Sequence, residues 1–352
     1  MSLKVLLLSH RFYPDLGGIE TITEFLADSF SKAGHEVHLL TWSKDKASKT
    51  FPFAVIRDPG YRKLFQEHRW ADIVFENNPC MRLSWPGFFF DRPNIIGLHT
   101  WISRTNGNIS WQDQFKFRWL KRAKQVIACS DIIRSKCWPE ALVIGNPYRD
   151  DSFQILPGIS RTHDFVFVGR LVSDKGADLA IKTFHILFNK KNERKEFYSK
   201  PTLTIIGDGP ERTRLQNMVS EFGLDKHIIF KGSLHGSDLV KCLNLHRFIL
   251  VPSRWEEPFG IVALEGMACG CIPIVSDRGG LPAVVGDAGL IFKTADVNSF
   301  ASAIDQVLND PLLEQKLRDA APARLLRHQQ NVISKQYLDV LNNSVENFSL
   351  AL

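Results

Sequence analysis

Short, nearly continuous apolar runs alternate along this chain with stretches whose apolar residues recur every three to four positions. Lys4–Ser9, Glu36–Thr41, Ile73–Phe75, Ile95–Leu98 and Val126–Ala128 read as buried strands, and Glu20–Ala33 as an amphipathic helix. Runs of this kind fit parallel strands covered by helices on both faces. The alternation pauses at Asn146-Pro147-Tyr148 and stays polar through His163, with Pro157-Gly158 inside, which predicts a linker. A second series follows. Asp164–Val168, Thr202–Ile206, His227–Lys231, Phe248–Val251 and Ile272–Ser276 are predicted strands; Ala177–Phe188, Glu211–Phe222 and Gly260–Ala268 are predicted helices. The charged segment Asn189–Lys200 is expected to be an exposed helix end and loop, and Leu312–Phe348 to be helical without strands.

Two strand–helix series separated by a linker imply an α/β protein with two Rossmann-like, doubly wound domains and a cleft between them. Length agrees, since 352 residues exceed the ~100–200 that one core usually serves. With 44% hydrophobic and 23% charged residues the composition is that of a globular chain, which excludes wholesale disorder.

Charge changes the picture. Residues 1–150 hold 21 Lys+Arg and 15 Asp+Glu (21 − 15 = +6), so the net charge of +6 lies wholly in the first half. That half is therefore the one expected to meet an anionic partner, the competing reading being a merely basic surface. The six cysteines show no Cys-x-x-Cys spacing, and Cys269-Gly270-Cys271 alone does not supply the four converging ligands of a zinc site. Reduced thiols in a cytosolic protein are expected. The apolar run Leu3–Leu8 carries Lys4 and falls far short of the ~18 residues of a membrane span.

Four loops carry candidate chemistry. After the first strand, Gly17-Gly18 lets backbone approach a ligand at a helix start, where unpaired N–H groups attract anions. After the first strand of the second series, Gly169-Arg170 and Lys175-Gly176 put two cations beside a glycine turn, a setting suited to a diphosphate; the competing reading is a solvated basic loop. Gly207-Asp208-Gly209 follows another strand, but Arg212 stands where a dinucleotide fingerprint has its third glycine, which disfavours hydride transfer. In Ser253–Glu265, Pro258 suits a helix start, so Glu257 is expected just before the helix and Glu265 about two turns inside it, roughly 10 Å along the axis at ~1.5 Å per residue. Carboxylates so placed do not flank one scissile bond. They suit two grips on one elongated ligand, with the N–H groups of Phe259, Gly260 and Ile261 facing its phosphates or sugar. The competing readings are a capping carboxylate for Glu257 and a solvated helix position for Glu265.

Taken together these segments resemble family 4 of the retaining glycosyltransferases. The resemblance rests on the Glu-x7-Glu pair Glu257 and Glu265, the Gly-Arg-x4-Lys loop Gly169–Lys175, the Gly-Gly-x-Glu loop Gly17–Glu20 and Gly279-Gly280. It implies an acceptor domain over 1–150, a donor domain over 151–327, and a C-terminal helix over 328–352 returning to the first domain. It implies that Arg170 and Lys175 bind the donor diphosphate with Gly17, Gly18 and Gly169, that Glu265 holds the ribose, and that Glu257, Pro258, Phe259, Gly260 and Ile261 orient the sugar. Lys231 and Leu234 would border the base, with Gly207 at the edge of the site. His99 would stand beside the sugar as a catalytic group together with Arg170, Lys175 and Glu257; the competing reading for His99 is a buried imidazole. The sequence departs from the family pattern at Thr100, at Asn146-Pro147 and at Ala283. No metal and no cofactor is implied, the nucleotide sugar being a co-substrate with UDP-glucose as the default donor.

The acceptor is expected to be a glycan or lipid-linked hydroxyl, in polysaccharide or glycolipid synthesis. Residues 101–125 contain Arg104, Lys116, Arg118, Lys121, Arg122 and Lys124 against Asp113, with Trp111, Phe115, Phe117 and Trp119 interleaved. Basic and aromatic residues so mixed suit an anionic membrane surface, so a peripheral position on the inner face of the membrane is expected, unless these rings pack in the core. Trp85 and Phe88-Phe89-Phe90 form a second apolar stretch. Nucleic-acid binding is not expected, because no recognised module accompanies the cations. The alternatives are an epimerase or phosphorylase on the same architecture, and a non-catalytic sugar- or membrane-binding scaffold.

Overall fold

The computed structural model describes residues 2–15, 17–44, 49–103, 110–194 and 201–349, and Arg104 of the basic segment lies outside them. The chain divides into two compact units, Met1–Pro147 with Gln330–Leu352, and Tyr148–Gln329.

Unit 1 runs β1 (Lys4–Ser9), α1 (Gly18–Lys32), β2 (Glu36–Thr41), β3 (Ala54–Arg57), α2 (Tyr61–Trp70), β4 (Ile73–Asn77), α3 (Met81–Ser84), β5 (Asn94–Leu98), α4 (Trp111–Leu120), β6 (Gln125–Ala128), α5 (Asp131–Cys137) and β7 (Leu142–Val143). Unit 2 runs β8 (His163–Val168), α6 (Ala177–Arg194), β9 (Leu203–Ile206), α7 (Arg212–Glu221), β10 (Ile228–Gly232), α8 (Gly236–Asn244), β11 (His246–Val251), α9 (Ile261–Ala268), β12 (Ile272–Ser276), α10 (Leu281–Val285), β13 (Leu290–Phe292), α11 (Val297–Asn309) and α12 (Pro311–Leu326). A final helix, α13 (Gln330–Ser349), belongs to unit 1.

Both sheets are wholly parallel among the described residues. Their strand orders are β3-β2-β1-β4-β5-β6-β7 and β10-β9-β8-β11-β12-β13. Each order therefore reverses once, between β1 and β4 in unit 1 and between β8 and β11 in unit 2. Loops leaving the strand carboxyl ends diverge at such a point and leave a crevice for a ligand. The central strands are apolar throughout because helices cover both faces: Val5, Leu6, Leu7 and Leu8 have no exposed surface, and neither do Phe248 and Ile249. The core of unit 2 joins the β8–β11 face to α6 and α11, where Phe165 meets Phe184 edge-on and Phe292 stacks on Phe300 with centroids 4.0 Å apart.

The helix α13 is fixed in unit 1 by Tyr337, whose ring lies 5.9 Å from that of Phe75 and is 1% exposed. Its hydroxyl is buried without a hydrogen-bond partner. All six cysteines are buried, and none is in a disulfide. Among the described residues no helix is long and apolar enough to cross a membrane.

Removing an unsatisfied buried polar atom while keeping the ring costs no packing. Tyr337→Phe is thus expected to leave stability unchanged or to raise it by about 1 kcal/mol in urea denaturation. A loss of more than about 1 kcal/mol would show that the hydroxyl is paired.

Candidate functional site

At the strand-order reversal of unit 2, two loops from non-consecutive strands are held together at backbone distance. The loop after β8 reaches the loop after β11 through Gly176, whose φ of 73° is left-handed and where a Cβ would lie 2.0 Å from the Pro252 carbonyl oxygen. The loop after β9 does the same at Gly207, with φ 137° and a Cβ position 1.9 Å from the Gly169 oxygen. Only glycine fits either place. The Gly207 N–H also donates to the Gly232 carbonyl at 2.8 Å, which brings in the end of β10 with Lys231 and Leu234.

A polar clamp reinforces this contact. The Arg254 guanidinium makes a paired contact to Asp178 at 2.6 and 2.8 Å and donates to the Ser173 carbonyl at 2.9 Å. Arg254 and Trp255 donate their backbone N–H groups to the Asp174 carbonyl at 2.7 and 3.2 Å. Burial pushes the Asp178 carboxyl up, but the bond and charge of Arg254, together with the charges of Lys182 and Arg214, outweigh it and hold the group below its ordinary value.

Held by these loops, Lys175 Nζ donates to Glu257 Oε1 at 2.5 Å, and the Ser253 hydroxyl donates to the same oxygen at 2.8 Å. Ser253 is 1% exposed, whereas the Lys175 and Glu257 side chains keep 28% and 14% of their surface. A buried hydroxyl therefore orients a carboxylate that still reaches solvent. Arg170 is exposed on the same loop as Lys175.

The helix that follows starts later than Pro258 suggests. Pro258 and Phe259 belong to the loop, and α9 begins at Ile261 with Gly260 as its cap at φ 108°. A side chain at Gly260 would meet Leu281, and side chains at Gly279 and Gly280 would meet the carbonyls of Glu257 and Pro258 at 2.2 and 2.6 Å. The chain from Glu257 to Gly260 is thus pinned from beneath by the start of α10, an irregular path that the helix-start preference of proline cannot forecast. The helical rise of ~1.5 Å per residue therefore applies only from Ile261 to Glu265 and not to the loop that carries Glu257. Phe259 turns its ring inward, 5% exposed and 5.3 Å from the His328 ring, so only its backbone is offered to a ligand.

Glu265 occupies the second turn of α9 and is half-buried. Burial pushes its carboxyl up to about 7, with the Arg149 charge opposing the shift. Arg149 and Ser253, Arg254 and Asp178 are the residues that motif reading passed over. Their only signal was position: Arg149 follows the Asn146-Pro147 departure, and Ser253-Arg254 directly precede the Glu257 loop.

The remaining candidates belong to unit 1. Gly17 and Gly18 begin α1; Gly17 is in extended backbone, and a Cβ there would meet the Glu20 carboxylate at 2.5 Å. His99 follows β5 and is buried. Burial pulls its imidazole down to about 4, so it is neutral at ordinary pH. Its Nδ1 lies 3.0 Å from Asn146 Oδ1, which places the proton on Nδ1, and its Nε2 is buried with no partner. The buried-imidazole reading is thus half met: one nitrogen is satisfied and the other is an open acceptor. Of the mixed basic and aromatic segment, Trp119 is core, donating Nε1–H to Glu76 at 2.7 Å, while Trp111 and Phe115 are exposed.

Known proteins resemble this chain in sequence and in fold. The profile of the family described as Glycosyl transferases group 1 matches residues 149–324, half of the chain. A glycogen synthase of Mycobacterium tuberculosis is 29% identical over 323 residues, covering 83% of this chain and 74% of that protein. The structure of a sucrose-phosphate synthase from Thermosynechococcus elongatus superposes with a TM-score of 0.77 at 21% identity, over 97% of this chain and 98% of that one. Anabaena HepE in complex with UDP-glucose gives a TM-score of 0.76 at 18% identity, over 97% and 100%.

The Glu265 shift has a pH signature. Between its ordinary value of 4.5 and its folded value of about 7, the folded chain keeps a proton that the unfolded chain has lost, so this group costs stability as pH rises through that window. Glu265→Gln cannot ionise and is expected to gain stability relative to wild type from pH 4.5 to about 7, measured by urea denaturation. A difference between the two that stays constant across the window would contradict the buried-carboxyl assignment.

Proposed function

The chain belongs to the group 1 glycosyl transferases, and on that premise we propose that it is a retaining, family 4 hexosyltransferase that takes its sugar from a nucleotide diphosphate. The observation that carries the reading is the Lys175–Glu257 ion pair at the strand-order reversal of unit 2, with Glu265 one helix start away. UDP-glucose is the default donor, a choice supported by the UDP-glucose complex of HepE. The acceptor is a hydroxyl of a glycan or lipid-linked sugar, and the product a polysaccharide or glycolipid.

In this reading an incoming diphosphate draws Lys175 away from Glu257. Lys175 and Arg170 then neutralise the charge that develops as the diphosphate leaves. Glu257, released from the lysine but still held by Ser253, accepts hydrogen bonds from sugar hydroxyls. Glu265, once ionised, accepts both ribose hydroxyls. No side chain is assigned as nucleophile; the acceptor hydroxyl attacks from the face that the diphosphate leaves, and its proton passes to the departing phosphate oxygen. Neutral His99, with Nε2 as an acceptor, suits a sugar hydroxyl better than a phosphate.

Membrane contact belongs to the same proposal. Phe88 and Phe89 are 58% and 68% exposed, and the Arg122 guanidinium lies 3.9 Å over the Phe88 ring, with Lys121 and Lys124 exposed nearby in sequence. Exposed rings beside cations suit an anionic bilayer surface. Lys121→Glu with Lys124→Glu is expected to reduce flotation with anionic liposomes; unchanged flotation removes the membrane from the account.

A thermal-shift panel of UDP-, GDP- and ADP-sugars tests the donor site. A donor at 100 times its Kd raises stability by ~2.7 kcal/mol, and this shift is expected for UDP-glucose with wild type. Lys175→Ala and Glu265→Gln are expected to lose the shift and to abolish transfer while remaining folded. Wild-type shifts and turnover in both variants would defeat the donor-site reading.

A further inference from the structure

The proposed transfer uses loops at the carboxyl ends of the strands, and the opposite end of unit 1 holds a cavity of its own. It has a volume of about 430 Å³ and lies where β4, β5 and β6 begin, with Val74, Asn94 and Lys124 in its walls. The length of β5 separates Asn94 from His99, roughly 16 Å at ~3.3 Å per residue. The cavity is thus at the far end of the sheet from His99 and from the Gly17-Gly18 loop.

Its charge is one-sided. Arg92, Arg122 and Lys124 are exposed there, and Asp91 is the exposed carboxylate among the lining residues. Glu76 lines the cavity from a position with no exposed surface: Oε1 accepts from Trp119 Nε1 at 2.7 Å and from Asn94 Nδ2 at 2.9 Å, and Oε2 accepts the Cys80 N–H at 2.8 Å. Burial pulls the His68 imidazole below its ordinary value, so it adds no positive charge at neutral pH. Three cations therefore face two carboxylates at most, and the lining is net positive. Among the described residues no salt bridge engages any of the three. Arg122 is nonetheless held in place, with its guanidinium 3.9 Å over the Phe88 ring and donating to the Gly87 carbonyl at 3.4 Å. A guanidinium fixed in advance loses little freedom when a ligand arrives, and its forked N–H groups match the oxygens of a phosphate.

The walls between the cations are aromatic. Phe90 and Phe348 are half-buried there, above Trp119 at 5% exposed. Phe348 closes α13, so the cavity joins three separate stretches of chain: residues 84–94, residues 119–124 and the end of the terminal helix. A few charged groups set among flat apolar walls, in a volume of this size, form the kind of pocket that takes a small organic molecule.

We propose that this cavity is a second ligand site, separate from the transfer reaction, that binds a phosphate monoester with its phosphate at Arg92, Arg122 and Lys124 and its organic part against Phe90 and Phe348. The inference does not depend on the transferase reading. It shares Arg122 and Lys124 with the proposed membrane surface, and the phosphate comes either from a soluble ester or from a lipid headgroup.

Isothermal titration of the full chain tests it, with phenyl phosphate as the probe and with UDP-glucose present in excess. Phenyl phosphate is expected to bind once per chain, with the same affinity whether or not UDP-glucose is there. Arg92→Glu is expected to weaken it about tenfold, through the loss of one cation and the gain of a repelling charge. Phe348→Ala is expected to lower phenyl phosphate to the affinity of inorganic phosphate, which has no organic part to lose. Phe89→Ser changes the exposed apolar surface and no lining residue, and is expected to leave the titration unchanged. Displacement of the probe by phosphatidic acid vesicles, and not by phosphatidylcholine vesicles, assigns the phosphate to a lipid headgroup; retention of the probe assigns it to a soluble ester. Displacement of phenyl phosphate by UDP-glucose, equal binding by wild type and Arg92→Glu, or no binding to wild type overturns this inference. The donor reading stands or falls separately, on the binding of UDP-glucose itself.

Discussion

Everything proposed for unit 2 depends on one short ion pair, Lys175 Nζ to Glu257 Oε1 at 2.5 Å, and on the backbone contacts that bring its two loops together. Neither partner is free to wander. Gly176 presses against Pro252, Arg254 is clamped to Asp178, and Ser253 holds the Glu257 carboxylate from the buried side. Two opposite charges at the strand-order reversal are thereby held in place, an arrangement suited to a ligand carrying both phosphate and hydroxyl groups. A diphosphate offers more negative charge to the lysine than one carboxylate does, and sugar hydroxyls offer the carboxylate replacement donors. The pair thus gives a site whose polar groups are satisfied before the ligand arrives and can be satisfied again by it, which avoids the cost of leaving buried charge unpaired.

The same logic separates the roles of the two glutamates. Glu257 keeps a cation and a hydroxyl as partners, whereas Glu265 sits in the second turn of α9 with burial raising its carboxyl and the Arg149 charge opposing this. Their difference lies in environment rather than in residue type, as when two carboxylates of one site take different tasks. Unit 1 gathers cations in another place. Arg92, Arg122 and Lys124 meet at a cavity where its strands begin, at the opposite end of β5 from the neutral His99 imidazole.

Much of the fold was legible because central parallel strands are apolar on both faces. Lys4–Ser9, Glu36–Thr41, Phe248–Val251 and Ile272–Ser276 could be read directly. Ala54–Arg57 escaped because an edge strand half-exposed along its length shows no apolar run, and Leu142–Val143 and Leu290–Phe292 because they are too short to show a period. The site loops were legible as spacing: glycine, arginine, lysine and the paired glutamates stand out in any reading of the chain. Their geometry was not. The helix read as Gly260–Ala268 starts at Ile261, but the irregular loop from Glu257 to Gly260 was not legible, since a tertiary contact, Gly279 and Gly280 against that loop, shapes it. The burial of Glu265, the clamp of Arg254 on Asp178 and the meeting of Arg92, Lys124 and Phe348 at one cavity arise from residues far apart in sequence, so no local pattern announces them.

The most direct test of the central claim is a crystal structure of the chain soaked with UDP-glucose. The account predicts that Lys175 Nζ leaves Glu257 for a diphosphate oxygen, that the Glu257 carboxylate meets sugar hydroxyls while still bonded to Ser253, and that Glu265 meets the ribose. Nucleotide bound elsewhere, with the Lys175–Glu257 pair unbroken, would contradict it.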